Sequence, residues 1–226
     1  DRVCRHSLTN RIEKRMCAYD YECGNCDFDQ NFEDIWSTKT KAIPGEMQHI
    51  KGFDVPIGYS FHNGHAWARI ESGGYIRVGL DDFALKVLGE ADALDLPLIG
   101  KELDQSKAGW GLRRKDNLAD VLSPIDGVIM EVNSKVRENP KLANHEPYGD
   151  GWLFMVRTPD VKGTMKQLMV DQDSLSWMNT EVSELEGMIE EVAGPLAADG
   201  GYLADDIYGN LPDLGWKNLT HKFLRT

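Results

Sequence analysis

All four cysteines of this 226-residue chain fall within its first 26 residues, at Cys4, Cys17, Cys23 and Cys26. Their spacing is C-x12-C-x5-C-x2-C, inside a polar segment with few large apolar residues. Four thiolates satisfy a tetrahedral zinc ion, and such a segment needs a staple to fold. The expectation is that the four converge on one zinc, with Arg5–Met16 looping out and back through a short helix around Arg11–Arg15. His6 is the substitute ligand for Cys4. Three other readings fit the same residues: an iron–sulfur cluster, two disulfides, and a redox pair at Cys23-Gly24-Asn25-Cys26 that lacks the βαβ setting of a thioredoxin.

A second candidate is Lys115, in the stretch GWGLRRKDNLADVLSPIDG from Gly109 to Gly127. The stretch reads as two short strands joined by a tight turn, crowded with Arg113, Arg114, Lys115, Asp116 and Asn117. Asp and Asn side chains suit such a turn. Other chemistry is missing. There is no Ser-His-Asp arrangement, phosphate-cradling glycine loop or paired-carboxylate site. His62 and His65, spaced as H-x-x-H around Asn63-Gly64, read as structural, and Asp205-Asp206 as solvated.

The elements that must position these residues differ along the chain. Tyr75–Leu80, Gly127–Asn133 and Trp152–Arg157 read as strands, and Leu94–Ile99 as a strand running into a turn. Asp81 caps a helix that Gly89 ends. Met165, Leu168 and Met169 sit at helical spacing, and 174–193 reads as an amphipathic helix burying Leu185, Met188 and Val192, stopped by Gly194-Pro195. Ile207, Tyr208, Leu211, Leu214 and Trp216 imply a tail that packs on something. The organisation is then a Cys-rich metal-binding segment at 1–50, a β-rich domain at 51–160, and a C-terminal helix and packing tail at 161–226.

Composition narrows the partners. The formal net charge is −12, against the clustered cations that nucleic acid requires. No apolar run approaches the roughly 18 residues of a membrane span. The N-terminal DRVCRHSLTN has no apolar h-region, so no secretory signal is visible and the expectation is cytoplasmic.

Four stretches, GHAWARIE, YIRVGLDDFALKVLGEADALDLPLIG, SPIDGVIMEVN and ENPKLANHEPYGDGWLFMV, resemble in order and spacing the H protein of the glycine cleavage system. The resemblance covers about 58–158 and extends into 161–180. It implies a mainly β protein with α extensions, a lipoyl-type barrel-sandwich hybrid in which a hairpin projects from one end. In that family a lysine at the hairpin tip carries lipoate as an amide. The arm visits a pyridoxal-phosphate decarboxylase, a folate-dependent transferase and a flavin dehydrogenase, while the domain makes and breaks no bonds. The family hairpin reads roughly Glu-Ser-Val-Lys-Ala. Counting back from Ser123-Pro124 puts Asp116 at the lysine position, and counting forward from Gly111 puts Asn117 there. Lys115 fits neither register, and the family's His-Glu-Trp is His65-Ala66-Trp67.

The expectation is a non-catalytic carrier-fold protein without lipoate, acting as an interaction module with protein partners in a larger assembly. The alternatives are a lipoyl carrier modified at Lys115, or an electron-transfer subunit if the cysteines bind iron and sulfur.

Overall fold

The computed structural model describes residues 3–8, 12–30, 46–71, 74–194, 203 and 205–226. Among them, twelve strands form three antiparallel sheets. The largest is seven-stranded, in the order β12-β3-β4-β5-β11-β10-β7. It is built from β3 (Ser60–Phe61), β4 (Ala66–Ile70), β5 (Tyr75–Leu80), β7 (Glu102–Leu103), β10 (Gly127–Val132), β11 (Phe154–Arg157) and β12 (Met169–Val170). A three-stranded sheet, β6-β8-β9, comprises Ala93–Asp95, Ala108–Arg114 and Asn117–Leu122. A small hairpin pairs β1 (Met47–Ile50) with β2 (Phe53–Pro56). The expected mainly β, lipoyl-type sandwich is the observed fold.

The two larger sheets face each other across one core. Trp110 on β8 meets Phe154 on β11 edge-to-face, with ring centroids 5.0 Å apart. Along β9 the side chains alternate: Ala119 and Val121 are buried, whereas Leu118 and Asp120 face out, as one-sided burial of a pleated strand requires. Trp67 on β4 is fully buried, and its indole donates to Leu80 O at 2.9 Å. A Cβ at Gly79, directly opposite on β5, would collide with that ring, so the glycine makes its seat.

The helical turn α1 (Arg5–Leu8) lies in the N-terminal segment, and residues 27–30 form another. The predicted capped helix is α2 (Asp82–Leu88): Asp81 accepts from Ala84 N–H, and Gly89 closes the helix at φ +77°. Two further short helices, α3 (Ser134–Glu138) and α4 (Leu142–His145), precede β11. The stripe at Met165, Leu168 and Met169 does not continue as one helix. The helix α5 (Val161–Met165) ends there, and Met169 instead pairs with Phe61 in β12. A backbone bond to the sheet edge outweighs helical spacing at that point.

The long helix α6 (Asp171–Ala193) starts three residues earlier than the apolar spacing implied and ends at Gly194, φ +85°. Pro195, the other half of the expected stop, lies outside the described residues. Leu185 is buried and Met188 half-buried against the core, but Val192 is 43% exposed and does not face protein as expected. The tail adds α7 (Ile207–Asn210) and α8 (Trp216–Leu219). It packs on this same domain: Ile207, Leu214, Trp216, Leu219, Phe223 and Leu224 are all buried in the common core. Among the described residues no helix is long and apolar enough to cross a membrane.

Candidate functional site

The β8–β9 hairpin is a two-residue turn. Arg114 pairs with Asn117, which leaves Lys115 and Asp116 at the apex, both exposed. The sequence reading placed Asp116-Asn117 in the turn, but Asn117 is already the first residue of β9. Lys115 takes φ +53°, a left-handed backbone unusual for a lysine. Its amide donates to Asp92 Oδ2 at 2.6 Å. Among the described residues its amine has no hydrogen-bond or ion-pair partner.

Everything flanking that apex is held. The Arg114 guanidinium grips Asp206 with both nitrogens, at 2.5 and 2.7 Å, and donates to Leu88 O at 2.6 Å. A two-point charge-assisted pair fixes direction as well as distance. Asp206 also accepts from Gly209 N–H, capping α7. Gly89 leaves room for this clamp, because a Cβ there would fall on both the Asp206 carboxylate and the Arg114 fork. Further along β9, the Asn117 amide donates to Tyr208 Oη at 3.2 Å, and the Trp216 indole donates to Leu118 O at 2.8 Å. Thr226 Oγ1 donates to Asp120 O at 3.0 Å. Strand β9 is the edge of its sheet, so tail side chains take up carbonyls that a further strand would otherwise use. Asp206 is therefore a clamp residue and not simply solvated.

Beside the apex lies an open cleft of about 650 Å³ between α2, α4, the hairpin and the tail. Its charges are mostly paired internally. Glu90 takes Lys141 Nζ at 2.5 Å and His145 Nε2 at 3.2 Å, and these partners hold its carboxyl below the ordinary range. Lys86 pairs with Asp82 at 2.9 Å.

A second charge cluster is centred in the interior, with Arg225 reaching it from the surface. His65, fully buried with φ +61°, stacks on Phe83 at 4.4 Å and lies 4.7 Å from the Trp177 ring. Its Nδ1–H donates to Asp81 Oδ2 at 2.7 Å, and Nε2 sits 3.5 Å from Glu181 Oε2. The other Glu181 oxygen accepts from the Trp177 indole at 3.0 Å and from Arg225 at 2.5 Å. Burial alone would lower His65, but the Asp81 charge and hydrogen bond, with Glu181 behind, carry it above its ordinary value. Burial pushes Glu181 up, yet His65 and Arg225 outweigh it and hold the carboxyl low. His62, three residues away, moves oppositely: burial and the neighbouring His65 charge lower it to about 4. Its Nδ1 accepts from Gly64 N–H, so Nε2 carries the proton and donates to Ser106 Oγ at 3.0 Å. A histidine that donates to a serine does not activate it as a nucleophile. Both histidines are structural, as expected.

The four cysteines do not converge among the described residues. Among the described residues no group of three or more His, Cys, Asp or Glu side chains is placed to hold a metal ion. Cys4, Cys17 and Cys26 carry free thiols, and all four cysteines are half-buried. His6 does not stand in for Cys4. It is buried, with Nε2 2.7 Å from Asp29 Oδ1. The chain does loop out and return, through an antiparallel bridge between Val3 and Met16, but the 12–15 stretch is not helical, and Arg11 lies outside the described residues. Ile12 is buried against the domain and bridges Ile99.

A two-sheet sandwich that presents a tight hairpin at one corner is a lipoyl-type fold. The family model "Glycine cleavage H-protein" matches residues 59–181. The chain belongs to that family. It is 30% identical to the glycine cleavage system H protein of Alkalilimnicola ehrlichii over 119 residues, 53% of this chain and 91% of that protein. It is 31% identical to that of Marinobacter nauticus over 116 residues, 51% of this chain and 88% of that one. The crystal structure of an H protein from Mycobacterium marinum superposes with a TM-score of 0.50 at 24% identity, covering 57% of this chain and 99% of the other. The cysteine segment and the clamping tail both lie outside the matched span.

Proposed function

We propose that this chain uses the H-protein carrier fold as a docking module, recognised by proteins of a multienzyme assembly, without carrying lipoate. The observation behind this reading is the clamp. A tail outside the family span holds the hairpin at Arg114, Asn117, Leu118 and Asp120. Neither Asp116 nor Asn117, the two residues that counting puts at the family's lysine position, has an amine that a ligase would acylate. Arg113 and Arg114 stand where the family has an acid, which reverses the charge a modifying ligase would meet.

The second reading, a lipoyl carrier, rests on Lys115: an exposed, unpartnered amine on a rigidly held apex is where an arm could be anchored. Incubation with a lipoate–protein ligase, lipoate and ATP separates the two. The docking reading expects the intact mass to stay unchanged. Stoichiometric addition that disappears in Lys115→Arg would establish the carrier instead.

A further inference from the structure

We propose that Cys23 and Cys26 are a redox dithiol that exchanges with small disulfides. The two residues frame a 3₁₀ turn, Cys23–Asn25, closed by Cys26 N–H donating to Cys23 O at 3.0 Å. A turn closed by an i to i+3 backbone hydrogen bond holds its end Cα atoms within about 7 Å of each other. A disulfide needs a Cα separation of about 4.4–6.8 Å with the Cβ atoms facing. The turn therefore holds the two cysteines within the range of Cα separations that a disulfide spans.

Access is open. Cys23 and Cys26 are half-buried, while Gly24 and Asn25 between them are exposed, and the space a Gly24 Cβ would enter is empty. The turn is also anchored. Tyr21 N–H donates to Cys17 Sγ at 3.3 Å, and Tyr21 Oη donates to Val3 O at 2.9 Å. These bonds tie the turn to the Val3–Met16 bridge and, through Ile12, to the domain. Cys17 is engaged by that amide, and Cys4 sits on the bridge with its amide donating to Arg15 O at 2.8 Å. Of the four cysteines, the i, i+3 pair has the geometry for a local disulfide.

The exchange balances. One cysteine thiolate attacks a sulfur of the small disulfide R–S–S–R; that S–S bond breaks, a mixed disulfide forms, and RS⁻ leaves to take a proton. The second cysteine thiolate attacks the protein sulfur of the mixed disulfide, closes the Cys23–Cys26 bond and expels the second RSH. Two electrons pass from the dithiol to the small disulfide. Glu22 and Asp27 flank the turn, so a neutral disulfide approaches more readily than an anionic one.

The test uses the full chain, reduced and then incubated with bis(2-hydroxyethyl) disulfide, acid-quenched, alkylated with N-ethylmaleimide and weighed intact. Wild type and a Cys4→Ser/Cys17→Ser double variant should each lose two alkylatable thiols and regain them with dithiothreitol. Cys23→Ser and Cys26→Ser should instead retain a mixed disulfide with the reagent. The proposal is overturned if wild type keeps four alkylatable thiols, if the two-thiol loss survives in Cys23→Ser, or if the double variant loses none. A tightly bound metal near one equivalent that shields all four thiols would also overturn it.

Discussion

The hairpin apex and the cage around His65 both concentrate charge, but they use it in opposite ways. In the cage, buried His65, Asp81 and Glu181 meet the partly exposed Arg225, and each has an opposite charge at hand. At the apex, Lys115 and Asp116 face water, and it is the residues behind them that are paired. Water screens an exposed charge at little energetic consequence. A buried one must be matched or the fold loses several kcal/mol. The cage is therefore a structural device that anchors α6 and the tail to the β3–β4 turn. The apex is free to vary and free to meet another molecule.

Glu181→Ala is the most damaging way to break this contrast. It takes one of two acidic partners from buried His65 and the partner of partly exposed Arg225, and should destabilise the chain by about 3–4 kcal/mol in urea unfolding at pH 7, the low end for breaking a buried ion pair. Trp216→Ala comes next, at about 3 kcal/mol for a buried indole. It also frees Leu118 O, so hydrogen exchange across 117–122 should rise while that of β10 and β11 stays protected.

The two histidines sharpen the comparison through pH. His65 is raised in the fold, so its stabilisation is full below its ordinary 6.5 and is lost as pH rises through the folded value. His62 is lowered from 6.5 to about 4, so the unfolded chain takes its proton first and stability falls as pH drops through that window. Urea midpoints against pH should therefore decline on both sides. His62→Gln should flatten the acid limb between about 6.5 and 4, and His65→Gln the alkaline limb. If both variants kept the parent profile, the opposed shifts would be wrong.

Smaller effects belong to the clamp and the tip. Asp206→Ala removes a half-exposed partner of Arg114 and should cost about 1–2 kcal/mol, since hydrogen bonds to charged groups exceed neutral ones. Lys115→Ala should change stability by less than about 0.5 kcal/mol, as for an ordinary surface site.

Much of this molecule was legible from its residues. Alternation marked β5, β10 and β11, and the Asp81 and Gly89 punctuation marked α2 to within a residue, because these are local signals. The apolar tail at Ile207, Leu214 and Trp216 announced that it packs, but not onto what. Its partners, Arg114, Asn117 and Leu118, lie roughly 90 or more residues earlier in the chain, and no local pattern encodes such a pairing. The cage escaped for the same reason: His65, Asp81, Glu181 and Arg225 share no motif. At the cysteines, count and spacing suggested a metal. The local backbone is a 3₁₀ turn at 23–25 and a bridge at 3 and 16, and among the described residues no three such side chains are grouped to hold a metal.

The central claim is that the hairpin carries no arm. The chain isolated from its native host, weighed intact and digested with trypsin, tests it directly. An unmodified Lys115 is cleaved, so the account predicts a mass without a lipoyl adduct and a peptide running from Asp116 to Lys135. A lipoyl increment in the intact mass, with cleavage blocked after Lys115 and the adduct located there at substantial occupancy, would contradict it.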